Sequence, residues 1–193
     1  MKATELLKQQ HREVARLFQA IEDTEDRAEK KSYFLQLASN LVAHDAIERK
    51  IFYPACEQEL GLEELLGSAL VEHGVIEFSL YQANQALGED DFDYKVTVLK
   101  ELVEHHVKEE ETEFFPKVEQ ALGSEMLDAL GDELDEAFQK EREGDYLRPL
   151  FENLRQVLAG AVKTTPLDAS LDRRVLAKTN SPARRPQKRK KSA

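Results

Sequence analysis

The segment HDAIERKIFYP, residues 44–54, aligns without a gap on HVKEEETEFFP, residues 106–116. Both read histidine, three residues, glutamate, three residues, phenylalanine, a second aromatic residue, proline. Residues four apart on an α-helix project from one face, about 6 Å along the axis. His44 with Glu48, and His106 with Glu110, therefore point the same way. Each proline is expected to kink or end its helix, because it lacks an N–H and crowds the carbonyl four residues back.

Outward from this repeat the chain reads as helix throughout, with scarce glycine and apolar residues at steps of three and four. The first helix is expected over 4–23, with Thr4 as an N-cap candidate and a seam of Leu7, His11, Val14, Phe18 and Ile21. The second, from about Ala28 to the mid-50s, has the seam Phe34, Leu37, Leu41, His44, Glu48 and Ile51. The third, over 63–87 and closed by Gly88, carries Leu66, Leu70, His73, Glu77, Leu80 and Leu87. The fourth, over 93–115, carries Val96, Leu99, Val103, His106, Glu110 and Phe114. The fold class is therefore all-α: an antiparallel up-down four-helix bundle over 1–122. One or two additional C-terminal helices, near 124–143 and 146–158, form an extension over 123–160. In a bundle of this kind the second and fourth helices face each other across the diagonal, so the repeat would place two similar groups about a central point.

Four of the five histidines thus fall on apolar seams, one per helix, and two glutamates fall there with them. A single seam histidine is ordinarily a core histidine with a hydrogen-bond partner, and a single His–Glu pair is ordinarily a surface ion pair. Here such accidents would have to coincide on four helices. A buried unpaired carboxylate costs several kcal/mol, and two at one level repel each other. A pair of cations relieves both penalties. His11, His44, His73, His106, Glu48 and Glu110 are accordingly the candidate metal ligands. Glu77, one turn after His73, joins them as a candidate; it and Asp45 could complete the coordination or accept hydrogen bonds from ligand histidines. His105 lies to the side of the seam and reads as a neighbouring or surface group.

Imidazole and carboxylate without thiolate suit iron, manganese or zinc. Two carboxylates able to span two ions favour a dinuclear centre. The ferritin-like di-iron pattern needs Glu-x-x-His on two helices, and this chain has none.

The ordered set QQHREVARLF, HDAIERKIFYP, VEHGVIEFSL and HHVKEEETEFFP, over roughly residues 5–118, resembles the hemerythrin family in its broad HHE cation-binding sense. The resemblance implies an antiparallel bundle around two non-haem irons bridged by an oxo or hydroxo group and two carboxylates. His11, His44, His73 and His106 would be imidazole ligands, with Glu48 and Glu110 as the bridges. The sequence departs from the oxygen-carrying members, which have a further histidine where Glu77 stands and an aspartate five residues after the last-helix histidine. It is closer to the iron-sensing and iron–sulfur-repair branches, in which an extra carboxylate would stabilise ferric iron. The resemblance thus implies a protein that binds or senses oxygen, nitric oxide, peroxide or iron. The alternative is a redox enzyme of peroxidase or nitric-oxide-reducing type, or an iron donor for cluster repair.

Bulk composition narrows the setting. The lone Cys56 forms no intrachain disulfide, which fits a reducing compartment. No apolar run reaches signal-peptide or membrane-span length, so a cytoplasmic protein without membrane partners is expected. The net charge of −11 is unevenly spread: residues 161–193 hold ten basic and two acidic residues, leaving 17 basic and 36 acidic in 1–160. The acidic body argues against nucleic-acid binding by the bundle. The basic, proline-containing tail is expected to be disordered. It could meet nucleic acid through phosphate contacts alone, or stay solvated. The C-terminal helices are expected to pack against the outside of the bundle or to mediate self-association.

Overall fold

The computed structural model describes residues 1–61 and 63–158. The expected disorder and nucleic-acid contact of the basic tail lie outside these residues. Every element among them is helical: α1 (Ala3–Asp23), α2 (Arg27–Ile47), α3 (Tyr53–Leu60), α4 (Glu63–Gln85), α5 (Phe92–Glu109), α6 (Phe115–Arg142) and α7 (Leu147–Leu158). α1 packs on α2 and α4 on α5, while contacts of α1 with α5 and of α2 with α4 complete the ring. This is the antiparallel four-helix bundle with additional C-terminal helices, and α2 and α5 lie on its diagonal. None of the described helices is long and apolar enough to cross a membrane.

Local chemistry accounts for the ends. Asp26 caps α2, its side chain accepting from the Ala28 and Glu29 amides at 2.8 and 2.9 Å. Thr4 is not a cap: α1 begins a residue earlier, and the Thr4 hydroxyl donates to Glu119 at 2.7 Å. Gly61 ends α3 in the left-handed conformation, with φ 58° and its N–H on the Glu57 carbonyl.

The two prolines do not end their helices. One π-helical turn, Glu48–Phe52, joins α2 to α3, and another, Glu110–Phe114, joins α5 to α6. In each, an amide reaches back five residues: Tyr53 N–H to the Glu48 carbonyl, and Phe115 N–H to the Glu110 carbonyl. The widened turn absorbs the proline that follows, so the chain runs through Pro54 to Leu60 and through Pro116 onward. The break in the second run comes later, at Gly123, whose φ of 72° and ψ of 167° are non-helical. Beyond it α6 packs on α1 and α2, and α7 lies on α4.

The core forms two apolar plugs. One holds Leu7, Ile47, Phe52, Cys56, Leu70 and Phe115. The other holds Val14, Phe18, Leu41, Leu80, Leu99 and Val103. On each helix the seam histidine falls between a residue of one plug and a residue of the other. The ionisable groups therefore form a layer between two dry regions.

Candidate metal centre

The four seam imidazoles meet in two pairs. His11 Nε2 lies 3.2 Å from His44 Nε2, and His73 Nε2 lies 2.9 Å from His106 Nε2. Two carboxylates span the pairs. Glu48 Oε2 is 3.2 Å from His44 Nε2 and 3.4 Å from His73 Nε2. Glu110 Oε2 is 3.4 Å from His11 Nε2 and 3.6 Å from His106 Nε2. None of the six residues is more than 7% exposed. Ligand atoms of His11, His44, Glu48 and Glu110 all fall within 4.8 Å of one another, as do those of Glu48, His73 and His106.

Each imidazole is held by its other nitrogen, and the four bonds form a ring. Gln10 on α1 accepts from His44 Nδ1 at 2.7 Å. Asp45 on α2 accepts from His73 Nδ1 at 2.6 Å. Glu72 on α4 accepts from His106 Nδ1 at 2.7 Å. Glu111, just after α5, accepts from His11 Nδ1 at 2.8 Å. Each helix thus orients the imidazole of the next. An outer acceptor at Nδ1 turns Nε2 inward, as metal-ligating histidines require.

The donor set fits cations. Two Nε2 atoms 2.9–3.2 Å apart need a proton or a metal ion between them. Glu48 Oε1 and Glu110 Oε2 are buried without any hydrogen-bond partner, a costly condition for a carboxylate unless an ion occupies the space it faces. Without metal, burial disfavours the charged form of His11, but Glu110, Glu111 and Glu48 together raise its pKa to about 9. His106 is likewise opposed by burial and raised to about 9 by Glu110, Glu72 and Glu48. Burial pushes the Glu110 carboxyl up, and His106, His11 and His44 more than reverse this, leaving it far below the usual range.

The structure brings together His11, His44, Glu48, His73, His106 and Glu110, and it does not bring Glu77 to them. The Glu77 carboxylate instead accepts from Arg49 Nη2 at 3.3 Å and from the Asn153 amide on α7. Its pKa is raised to about 8, first by burial and then by Asp45, with Arg49 and Asn153 opposing. It also lines the small cavity that His44, His73 and His106 border. Asp45 serves as an outer acceptor, shared between His73 and Arg49 Nε at 2.6 Å. His105 is a surface residue, with its side chain 63% exposed.

Tyr53 belongs to the site and was not expected there. Its hydroxyl is buried 2.8 Å from Glu110 Oε1, 2.9 Å from His73 Nε2 and 3.4 Å from Glu48 Oε2. Five residues of α-helix would leave it about 140° around from Glu48. The π turn closes over the same five residues and brings it onto the same face. In the other copy of the repeat its counterpart is Phe115, which stacks on His11 with centroids 5.9 Å apart and planes 10° from parallel. The Phe-aromatic-Pro signature was the sequence signal, and the hydroxyl at one of its two copies marks the difference. Gln10, Glu72 and Glu111 were also missed, though each stands next to one of the converging residues in the sequence.

A buried layer of imidazoles and shared carboxylates inside a helical bundle defines a histidine–carboxylate cation site. The family model described as the hemerythrin HHE cation-binding domain matches residues 2–118, and the chain belongs to that family. Among solved structures, it resembles a hemerythrin HHE cation-binding domain-containing protein from Mycobacterium kansasii, titled as an Rv2633c homolog. That likeness has a TM-score of 0.69 at 22% identity, covering 80% of this chain and 99% of the other. The fold is shared at that distance. No curated protein matches the sequence.

Proposed function

We propose that the protein holds two non-haem irons and uses them to bind or sense a small ligand: oxygen, nitric oxide, peroxide or iron itself. One observation carries the reading. Glu48 and Glu110 each lie against one imidazole of both pairs, and each keeps a buried oxygen without a partner. His11 and His44 would hold one ion and His73 and His106 the other, with both carboxylates between them. Iron at these positions would supply one-electron chemistry and an open coordination position.

The protein's own groups do the rest. The outer acceptors fix the imidazoles, and the apolar plugs keep bulk water away. A cavity of about 30 Å³ adjoins His44, His73 and His106, with Leu41, Leu80 and Val103 in its wall. It has room for one molecule of water or diatomic size. Metal analysis and an optical spectrum of aerobically purified protein test the reading. Two irons per chain with near-ultraviolet charge-transfer absorption are expected, and both His44→Ala and Glu110→Ala should abolish the absorption. Iron-free protein with no such absorption after reconstitution would refute it.

Tyr53 favours a second reading, a redox catalyst of peroxidase or nitric-oxide-reducing type. Its hydroxyl holds a proton within reach of Glu110 and His73 in a water-poor site. Sustained turnover of peroxide or nitric oxide, rather than one stoichiometric spectral change, would favour this reading over a sensor.

A further inference from the structure

A second group of metal-ligating side chains lies just outside the buried layer. His105 Nε2 is 3.5 Å from Glu109 Oε1 and 3.9 Å from Glu72 Oε1, and the three residues can present one ligand atom each within 4.8 Å. Glu72 links the two regions: its other oxygen, Oε2, accepts from His106 Nδ1 at 2.7 Å.

Glu72 and Glu109 border a cleft of about 330 Å³ between α4 and the junction of α5 with α6, and His105 stands beside both. Glu64, Glu72, Glu109 and Glu113 line it, against the single cation of Lys117. His106 and Glu110 line it as well, although both are buried. Glu110 Oε2 is an unpartnered oxygen at the inner side of this acidic surface. The cleft therefore runs from exposed carboxylates to the buried one of Glu110, which has one oxygen bonded to Tyr53 and the other without a hydrogen-bond partner.

We propose that this cleft is the uptake port for divalent transition-metal ions, with His105, Glu109 and Glu72 as an outer station from which an ion passes to Glu110 and His106. The proposal rests on the buried layer being a metal site. A wall of carboxylates concentrates cations and speeds their capture. An imidazole beside two carboxylates offers a partly dehydrated transition ion the ligands it meets again inside. His105 thereby has a role that its exposure excludes from the central layer.

Stopped-flow mixing of chelator-stripped full-length protein with Co(II), followed by visible absorption, tests the port. The His105→Ala/Glu109→Gln variant should load several-fold more slowly at low ionic strength, with unchanged final occupancy, because a charged funnel acts on capture rate. Wild-type loading should slow with added sodium chloride more steeply than loading of the variant. An unchanged rate would overturn the port. A lowered final occupancy would overturn it too, by placing these residues in the holding site. Wild-type protein that takes up no Co(II) would instead sink the metal function itself.

Discussion

Tyr53 and Glu110, from opposite copies of the internal repeat, are joined by a 2.8 Å hydrogen bond at the centre of the bundle. Burial and the carboxylates of Glu110 and Glu48 hold the phenol well above its usual pKa, so it stays protonated and donates. Hydrogen bonds to charged groups contribute about 1.5–3 kcal/mol, so Tyr53→Phe should lower the stability of metal-free protein by roughly that amount in urea unfolding. The iron-loaded variant should also show a shifted absorption spectrum, because the hydroxyl shares its space with the ligand nitrogens. An unshifted spectrum would remove Tyr53 from the site chemistry.

Asp45 touches no ion position, yet it orients His73 and pairs with Arg49. Loss of such an outer acceptor typically weakens metal affinity by about 10–100-fold. Asp45→Asn should do so in a competition titration with a chromophoric chelator while still binding two ions at saturation.

Glu77→Gln should behave differently. The Glu77 side chain is occupied by Arg49 and Asn153 and lies outside the converging ligand atoms. Metal content by elemental analysis should match wild type; loss of one ion per chain would return Glu77 to the ligand set.

The metal-free protein should respond to pH in a defined direction. His11 and His106 have folded pKa values of about 9, above the ordinary 6.5. The stability they contribute is complete below 6.5 and is lost as pH rises through 9. Glu110, with its pKa depressed, contributes above the ordinary carboxylate value of 4.5 and loses its contribution in stronger acid. Thermal midpoints measured in chelator should therefore fall from pH 6.5 to 9. Metal affinity should rise over the same window, because ions displace those protons. A midpoint flat across it would contradict the geometry of the imidazole pairs.

Gly131 on α6 faces the start of α1. A Cβ there would overlap the Met1 carbonyl and lie 2.9 Å from the Ala3 nitrogen. Backbone cannot yield as a flexible side chain does, so Gly131→Ala should destabilise by about 1–3 kcal/mol. Calorimetry should show the lowered midpoint with metal stoichiometry intact.

The bundle and the six converging side chains were legible because both obey the α-helical period: a histidine on an apolar seam is conspicuous at 3.6 residues per turn. That period fails after Glu48 and Glu110, where the π turns re-phase the helix. Ile51, expected on the seam, is only partly buried, while Phe52, Tyr53 and Cys56 are fully buried. The prolines, expected to stop or bend the helices, stand where the widened turn accommodates them. The partners of Glu77 were illegible for another reason. Its own helix puts it beside His73, but Arg49 and Asn153, which claim it, come from distant parts of the sequence. Periodicity places a side chain on a face and is silent about who meets it there.

Gln10 to His44, Asp45 to His73, Glu72 to His106 and Glu111 to His11 form a closed circuit around the bundle. Apolar seams tolerate sliding, since a leucine one turn along fills much the same hole. A circuit of directional bonds does not: shifting any helix by a turn breaks the bond it gives and the bond it receives. Polar contacts of this kind can specify register at some cost in raw stability. The four helices are thus indexed along their axes by the same residues that aim the imidazoles, and alignment of the bundle and assembly of the centre become one event.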